Sequence, residues 1–144
     1  MPERPLFVFD PNPKICNLVE RHLRRNNIPA ETFPTSSQLL FRFLTLAQQH
    51  GAPEKGSGQP SSCSAVLLDL DPVDEALYSA YRIFEFERKW SLTPTFLAGY
   101  TMNPKLVKMK YEVAGIKRIF GTGLDPEWIE GFARDPSCFR DREI

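Results

Sequence analysis

Asp10, Asp69 and Asp71 are the residues of this sequence best placed to do chemistry. Asp10 follows the apolar run Leu6-Phe7-Val8-Phe9, and Asp69 follows Ala65-Val66-Leu67-Leu68. A carboxylate directly after a buried strand sits where open α/β sheets bind ligands, outside the carboxyl ends of the strands. If the two strands are neighbours, their acids face one another. Such a pair repels and raises a pKa. A hard divalent ion such as Mg2+, which takes oxygen ligands, would relieve it. The two histidines add little. His22 lies on an apolar helical face, His50 ends a helix, and neither has a serine or cysteine partner that would suggest a nucleophilic triad.

The elements that must position these acids are legible in the hydrophobic pattern. Leu6–Phe9 and Ala65–Leu68 are continuously apolar, the mark of strands buried on both faces of a parallel sheet. From near Lys14, residues Ile15, Leu18, Val19, His22 and Leu23 fall on one helical face, and Asn26-Asn27 can end that helix. A weaker strand is expected over Ala30–Phe33. Thr35, Ser36 or Ser37 then caps a helix reaching about Gln49, with Leu39, Leu40, Phe43, Leu44 and Ala47 inward. Residues 51–64, rich in Gly, Pro and Ser, predict a flexible loop of unusual length. A helix over Val73–Trp90, a strand over Thr95–Ala98 ending at Gly99, and a helix from Asn103-Pro104 to Gly115 come next. A strand over Ile116–Phe120 and a helix from Asp125-Pro126 to about Ala133 complete the pattern, leaving 134–144 as a tail. Five β-α units in succession predict a doubly wound, three-layer α/β domain over residues 1–133. Its five-stranded parallel sheet has the flavodoxin-like order 2-1-3-4-5.

Composition excludes several classes of protein. The chain has 144 residues, and eighteen Lys+Arg balance eighteen Asp+Glu. A net charge of +0 disfavours a dedicated nucleic-acid binder. No apolar run approaches the ~20 residues that span a bilayer, and Met1-Pro2-Glu3-Arg4-Pro5 does not resemble a secretory leader. Three widely spaced cysteines, Cys16, Cys63 and Cys138, fit a reduced, cytoplasmic protein. The GxGxxG and GxxxxGK[ST] loops are absent, and Gly121-Thr122-Gly123 is too short to hold a nucleotide by itself.

The span Leu6–Ala133 resembles the receiver domain of two-component response regulators. The likeness is carried by Phe7-Val8-Phe9-Asp10, Leu67-Leu68-Asp69, Thr93-Pro94-Thr95-Phe96-Leu97, Ala114-Gly115 and Leu124-Asp125-Pro126-Glu127, in that order. It implies a bacterial signalling module, not an enzyme, in which a histidine kinase phosphorylates Asp69. It also implies a Mg2+ held by an acidic pair after strand one, by Asp69, and by the backbone carbonyl of Asp71. A hydroxyl after strand four and a lysine after strand five would grip the phosphoryl oxygens, clamping a loose transition state by charge.

The sequence departs from that pattern at several points. The acidic pair is Asp10-Pro11, the hydroxyl position maps to Gly99, and the aromatic switch position maps to Ile119. The lysine and the proline after it map to Thr122 and Gly123. Replacing lysine by threonine removes the charge that would hold a phosphoryl group. The expectation is a degenerate receiver, a pseudo-receiver, with no firm cofactor and at most a weakly bound Mg2+ at Asp10, Asp69 and Asp71. Val66-Leu67-Leu68-Asp69-Leu70-Asp71 also resembles the first motif of haloacid-dehalogenase-type phosphatases, in which the two acids act as nucleophile and general acid/base. Two β-α units precede it here, and no later Asp-Asp pair follows.

Such a domain would act through contact with a kinase, an output protein or a second copy; no output domain fits in 144 residues, unless the chain is a piece of a longer protein. Two surfaces are expected. In the third helix Leu77, Ala80, Tyr81 and Phe84 form a core stripe, and Ile83, Phe86 and Trp90 form a second stripe available to a partner. Residues 102–120 carry Lys105, Lys108, Lys110, Lys117 and Arg118 against Glu112. The resemblance makes the fourth helix, fifth strand and fifth helix an output and homodimer face.

Overall fold

The computed structural model describes residues 4–49, 63–90, 92, 94–103 and 115–144. The order is β1 (Leu6–Phe9), α1 (Pro13–Arg25), β2 (Ala30–Phe33), α2 (Ser36–Gln49), β3 (Ala65–Asp69), α3 (Val73–Trp90), β4 (Leu97–Thr101), β5 (Arg118–Gly121) and α4 (Pro126–Arg134). The strands form one parallel sheet in the order β2-β1-β3-β4-β5, as the alternating pattern predicts. The expected loop over 51–64 and the helix expected from 103 to 115 lie almost entirely outside the described residues.

Strand alternation builds two cores. Phe7, Phe9, Val66, Leu68 and Ile119 point to the α2/α3 side, where Phe43 stacks on Phe86 with ring centroids 6.3 Å apart. Leu6, Val8, Leu67, Ala98, Tyr100 and Phe120 point to the α1/α4 side. The helices begin where local chemistry permits. Asn12 caps α1 by accepting the Lys14 N–H at 3.0 Å, Thr35 accepts the Gln38 N–H at 3.2 Å, and Asp125 caps α4 through Glu127 N–H at 2.9 Å. Pro13 and Pro126 occupy first helical positions, where no N–H is needed. α1 ends in Asn26-Asn27, and Asn27 adopts φ 61°.

Three details differ from expectation. First, β4 begins at Leu97 and runs on to Thr101. Thr95 is held out of the ladder because its N–H is taken by the Glu87 carboxylate. Gly99 sits inside the strand, because a Cβ there would lie 2.5 Å from Leu70 Cδ1. Second, the stripes of α3 divide differently: Leu77 and Ala80 face the core as expected, but Tyr81 and Phe84 do not. Ile83 and Phe86 are buried and Trp90 is packed against the core, while Tyr81 and Phe84 are about half exposed, as is Tyr78. Ile83 and Phe86 therefore form no docking surface. Both stripes are apolar, and the α2 side chains opposite, Phe43 above all, select which one turns inward.

Third, residues 135–144 fold back on the domain. Phe139 packs against Phe120, Trp128 and Phe132, with centroids 5.7 to 6.2 Å apart. Gly131 on α4 admits it, since a Cβ there would come 2.6 Å from the Phe139 ring. The segment then pairs with the outer edge of β5. Gly121 N–H donates to Arg142 O at 2.8 Å, and Ile144 N–H donates to Ile119 O at 2.9 Å. It thus covers an edge that would otherwise present unpaired backbone groups.

Candidate functional site

Asp10 and Asp69 stand at the ends of adjacent strands, β1 and β3, and both are buried. Asp71, two residues on, is exposed. Each carboxylate is engaged by donors from the chain. Asp10 Oδ1 accepts Asn12 N–H at 2.8 Å, and Asp10 Oδ2 accepts the Tyr100 hydroxyl at 2.6 Å. That hydroxyl also lies 3.1 Å from the Phe9 carbonyl. Asp69 Oδ1 accepts Asp71 N–H at 3.0 Å. Asp71 Oδ1 accepts the Thr101 hydroxyl at 2.5 Å, and its Oδ2 lies 3.4 Å from Met102 N–H.

The electrostatics follow from burial and like charge. Burial pushes the Asp69 carboxyl up to about 6, the Asp10 and Asp71 charges add to this, and the Asp71 N–H opposes it. The Tyr100 phenol is pushed far above its ordinary value, first by burial and then by the Asp69 and Asp10 charges. It remains a neutral hydroxyl and a permanent donor. Its ring belongs to the α1/α4 core, which fixes the direction from which the hydroxyl reaches Asp10.

At the other side of this end of the sheet, the positions that the resemblance assigns to a hydroxyl and a lysine are differently filled. Gly99 is inside β4, filled over by Leu70, and the residue at the strand end is Thr101. Thr122, directly after β5, is buried and donates its hydroxyl to Gly123 O at 2.7 Å. The same oxygen accepts a hydrogen bond from Arg142 at 2.8 Å. Arg142 comes from the C-terminal segment, with φ 66°, and its other guanidinium nitrogen lies 3.8 Å from Asp125. Thr101, Met102, Gly121, Thr122, Gly123 and Arg142 line a cavity of about 450 Å3.

The implied Mg2+ does not fit these side chains as they stand. Both Asp10 oxygens hold donors, Pro11 is exposed and offers no carboxylate, and Tyr100 occupies the approach to Oδ2. Among the described residues, no three His, Cys, Asp or Glu side chains come together as a metal cluster.

Of the expected surface residues, Lys105, Lys108 and Lys110 lie outside the described residues. Lys117 is exposed. Arg118 is not a free basic group: it pairs with Glu143 at 3.0 Å and donates to Ser137 O at 2.8 Å, so the C-terminal segment neutralises it. Ile119, which the resemblance maps to an aromatic switch position, is buried in the α2/α3 core. Two residues that matter to the site, Tyr100 and Arg142, were not assigned to it from sequence, and a third, Thr101, was read only as a substitute hydroxyl two positions past Gly99 if the loop shifted. Tyr100 had a signal, since Ala98, Tyr100 and the strand period place it on the core face beside Asp10. Thr101 was displaced by the strand boundary. Arg142 had none, because nothing local shows a tail folding back.

The fold is that of response-regulator receiver domains. A chain of the co-crystal structure of the Saccharomyces cerevisiae histidine phosphotransfer signalling protein Ypd1 and the receiver domain of its downstream response regulator Ssk1 superposes with TM-score 0.69. The identity is 14%, over 98% of this chain and 92% of that one. The receiver domain of the Arabidopsis thaliana histidine kinase CKI1, complexed with Mg2+ and BeF3-, gives 0.67 at 14% identity, over 93% and 87%. A response regulator receiver protein from Burkholderia phymatum gives 0.53 at 16% identity, over 88% and 89%. No family model matches the sequence, and no curated protein matches it. Among the described residues, no helix is long and apolar enough to cross a membrane.

Proposed function

We propose that this chain is an atypical receiver domain that works in two-component signal transduction by protein contact, with phosphorylation of Asp69 impaired or absent. The observation that carries this reading is at Thr122. The residue after β5 carries no charge of its own, and its hydroxyl is committed to Gly123 O and to Arg142. A phosphoryl group on Asp69 would add charge beside Asp10 and Asp71, which already oppose the ionisation of Asp69. Mg2+ would bind weakly at most. The partner is a protein in the cytoplasm: a kinase, an output protein or a second copy of the chain. Nucleic acid is disfavoured by the balanced charge, and the domain is a signalling module, not an enzyme. The face available for contact includes Lys117 and the exposed side of α3 with Tyr78, Tyr81 and Phe84.

One observation favours a second reading, a receiver that still accepts phosphate on Asp69. Thr101 returns a hydroxyl to this end of the sheet, and Arg142 returns a cation. Incubation with acetyl phosphate, or with beryllium fluoride, in the presence of Mg2+ decides between them. Intact-mass measurement is expected to find no stoichiometric adduct. An adduct that Asp69→Asn abolishes would establish the second reading instead.

A further inference from the structure

We infer that Tyr100 is a built-in plug of the acid pocket: its hydroxyl takes the place on Asp10 that a divalent cation would need, and so excludes the metal. The inference rests on reading this end of the sheet as a receiver-type acid pocket, and not on whether Asp69 is phosphorylated.

The geometry carries it. Tyr100 Oη lies 2.6 Å from Asp10 Oδ2, and Tyr100 is buried at 3% exposure. Mg2+ binds carboxylate oxygens at about 2.0–2.1 Å and demands near-octahedral room for further ligands. An ion on the Oδ2 lone pair that the phenol fills would therefore collide with the phenol oxygen. Rotating the ring away is opposed by its packing among Val8, Leu67, Ala98 and Phe120 on the α1/α4 side. Asp10 Oδ1 is partly engaged as well, because it accepts the Asn12 N–H at 2.8 Å. The hydroxyl also supplies what the cation would otherwise supply. It gives a buried carboxylate a short, charge-assisted hydrogen bond, and the nearby Phe9 carbonyl helps to orient it. Phenylalanine at this position would keep the ring and remove the obstruction, leaving Asp10 short of a partner.

Metal titration of the full chain tests the inference without any phosphorylation readout. Mg2+ binding is followed by calorimetry, and Mn2+ binding by water-proton relaxation, for the wild type, Tyr100→Phe, and Tyr100→Phe combined with Asp10→Asn. The expected result is weak binding by the wild type. Tyr100→Phe should bind at least about tenfold more tightly, the weight of one charge-assisted hydrogen bond, and the added Asp10→Asn should abolish the gain. A folded Tyr100→Phe with no gain overturns the inference. So does a wild type that already binds as tightly as the variant. If Tyr100→Phe does not fold, fluorotyrosine-labelled wild type serves instead. Its Tyr100 19F resonance should stay unchanged at millimolar Mg2+ while calorimetry detects no bound ion; Mg2+ binding that calorimetry detects and Asp10→Asn abolishes, whether or not the resonance shifts, refutes the plug.

Discussion

Replacing Asp69 by asparagine should stabilise this protein at neutral pH and leave its stability unchanged in acid. The Asp69 carboxyl titrates at about 6 in the folded chain against an ordinary 3.8, chiefly because it is buried. At about 1.4 kcal/mol per tenfold, ionising it inside the fold costs about 3 kcal/mol. The sign follows from proton binding. Below about pH 4 the group is protonated in both the folded and unfolded states, and it costs nothing. Between about pH 4 and 6 the unfolded chain gives up the proton while the folded one holds it, so stability falls as pH rises. Above about pH 6 the whole penalty stands. Asparagine keeps the acceptor for Asp71 N–H, which Asp69 Oδ1 now provides at 3.0 Å, and carries no charge toward Asp10 or Asp71. The difference between Asp69→Asn and wild type should thus be near zero at about pH 4 and rise to about 2–3 kcal/mol by pH 7, roughly 6–10 °C in Tm. Urea unfolding across that range measures it. A difference that does not change with pH, or an asparagine variant less stable at neutral pH, would refute the account of Asp69 as a buried, electrostatically burdened acid. A position kept at such a cost is what a functional site predicts.

Two further outcomes follow from the packing. In α3, Ile83→Ala should cost about 3 kcal/mol, whereas Tyr81→Ala should stay within about 0.5 kcal/mol of wild type; chemical denaturation of both tests which stripe faces the core. In the C-terminal segment, Phe139→Ala should cost about 2 kcal/mol and change the emission of Trp128, which it contacts edge-on at 5.7 Å. Arg142→Ala should cost no more than about 1 kcal/mol, because the guanidinium is partly exposed. Equal and negligible effects for the last two would mean that the segment does not hold the domain.

Several errors of the sequence reading have one cause, the competition of equally suitable neighbours. Both α3 stripes satisfy helical periodicity, so the choice between Ile83 with Phe86 and Tyr81 with Phe84 depends on Phe43, which belongs to α2. The β4 boundary depends on Glu87 capturing the Thr95 N–H and on Leu70 filling the space above Gly99. Neither interaction is local in sequence. The boundary then decides which residue ends the strand, and that residue is Thr101, two positions beyond Gly99.

What the sequence determined by itself was the sheet and the two acids that crown it. Short continuous apolar runs between turn residues fit strands buried on both faces, helices between them favour parallel pairing, and in the order 2-1-3-4-5 β1 and β3 are neighbours, as the structure has them. That position 122 is a threonine and carries no charge was equally plain, since a charge is either present or not. Only the tertiary structure decided what became of the space around the acids. A phenol from β4 reaches Asp10 across β3, and a guanidinium from the last residues reaches Thr122, because folding joins partners ninety and twenty positions apart. Hydrogen-bond partners at such separations leave no period, spacing or cap in the sequence by which they could be found.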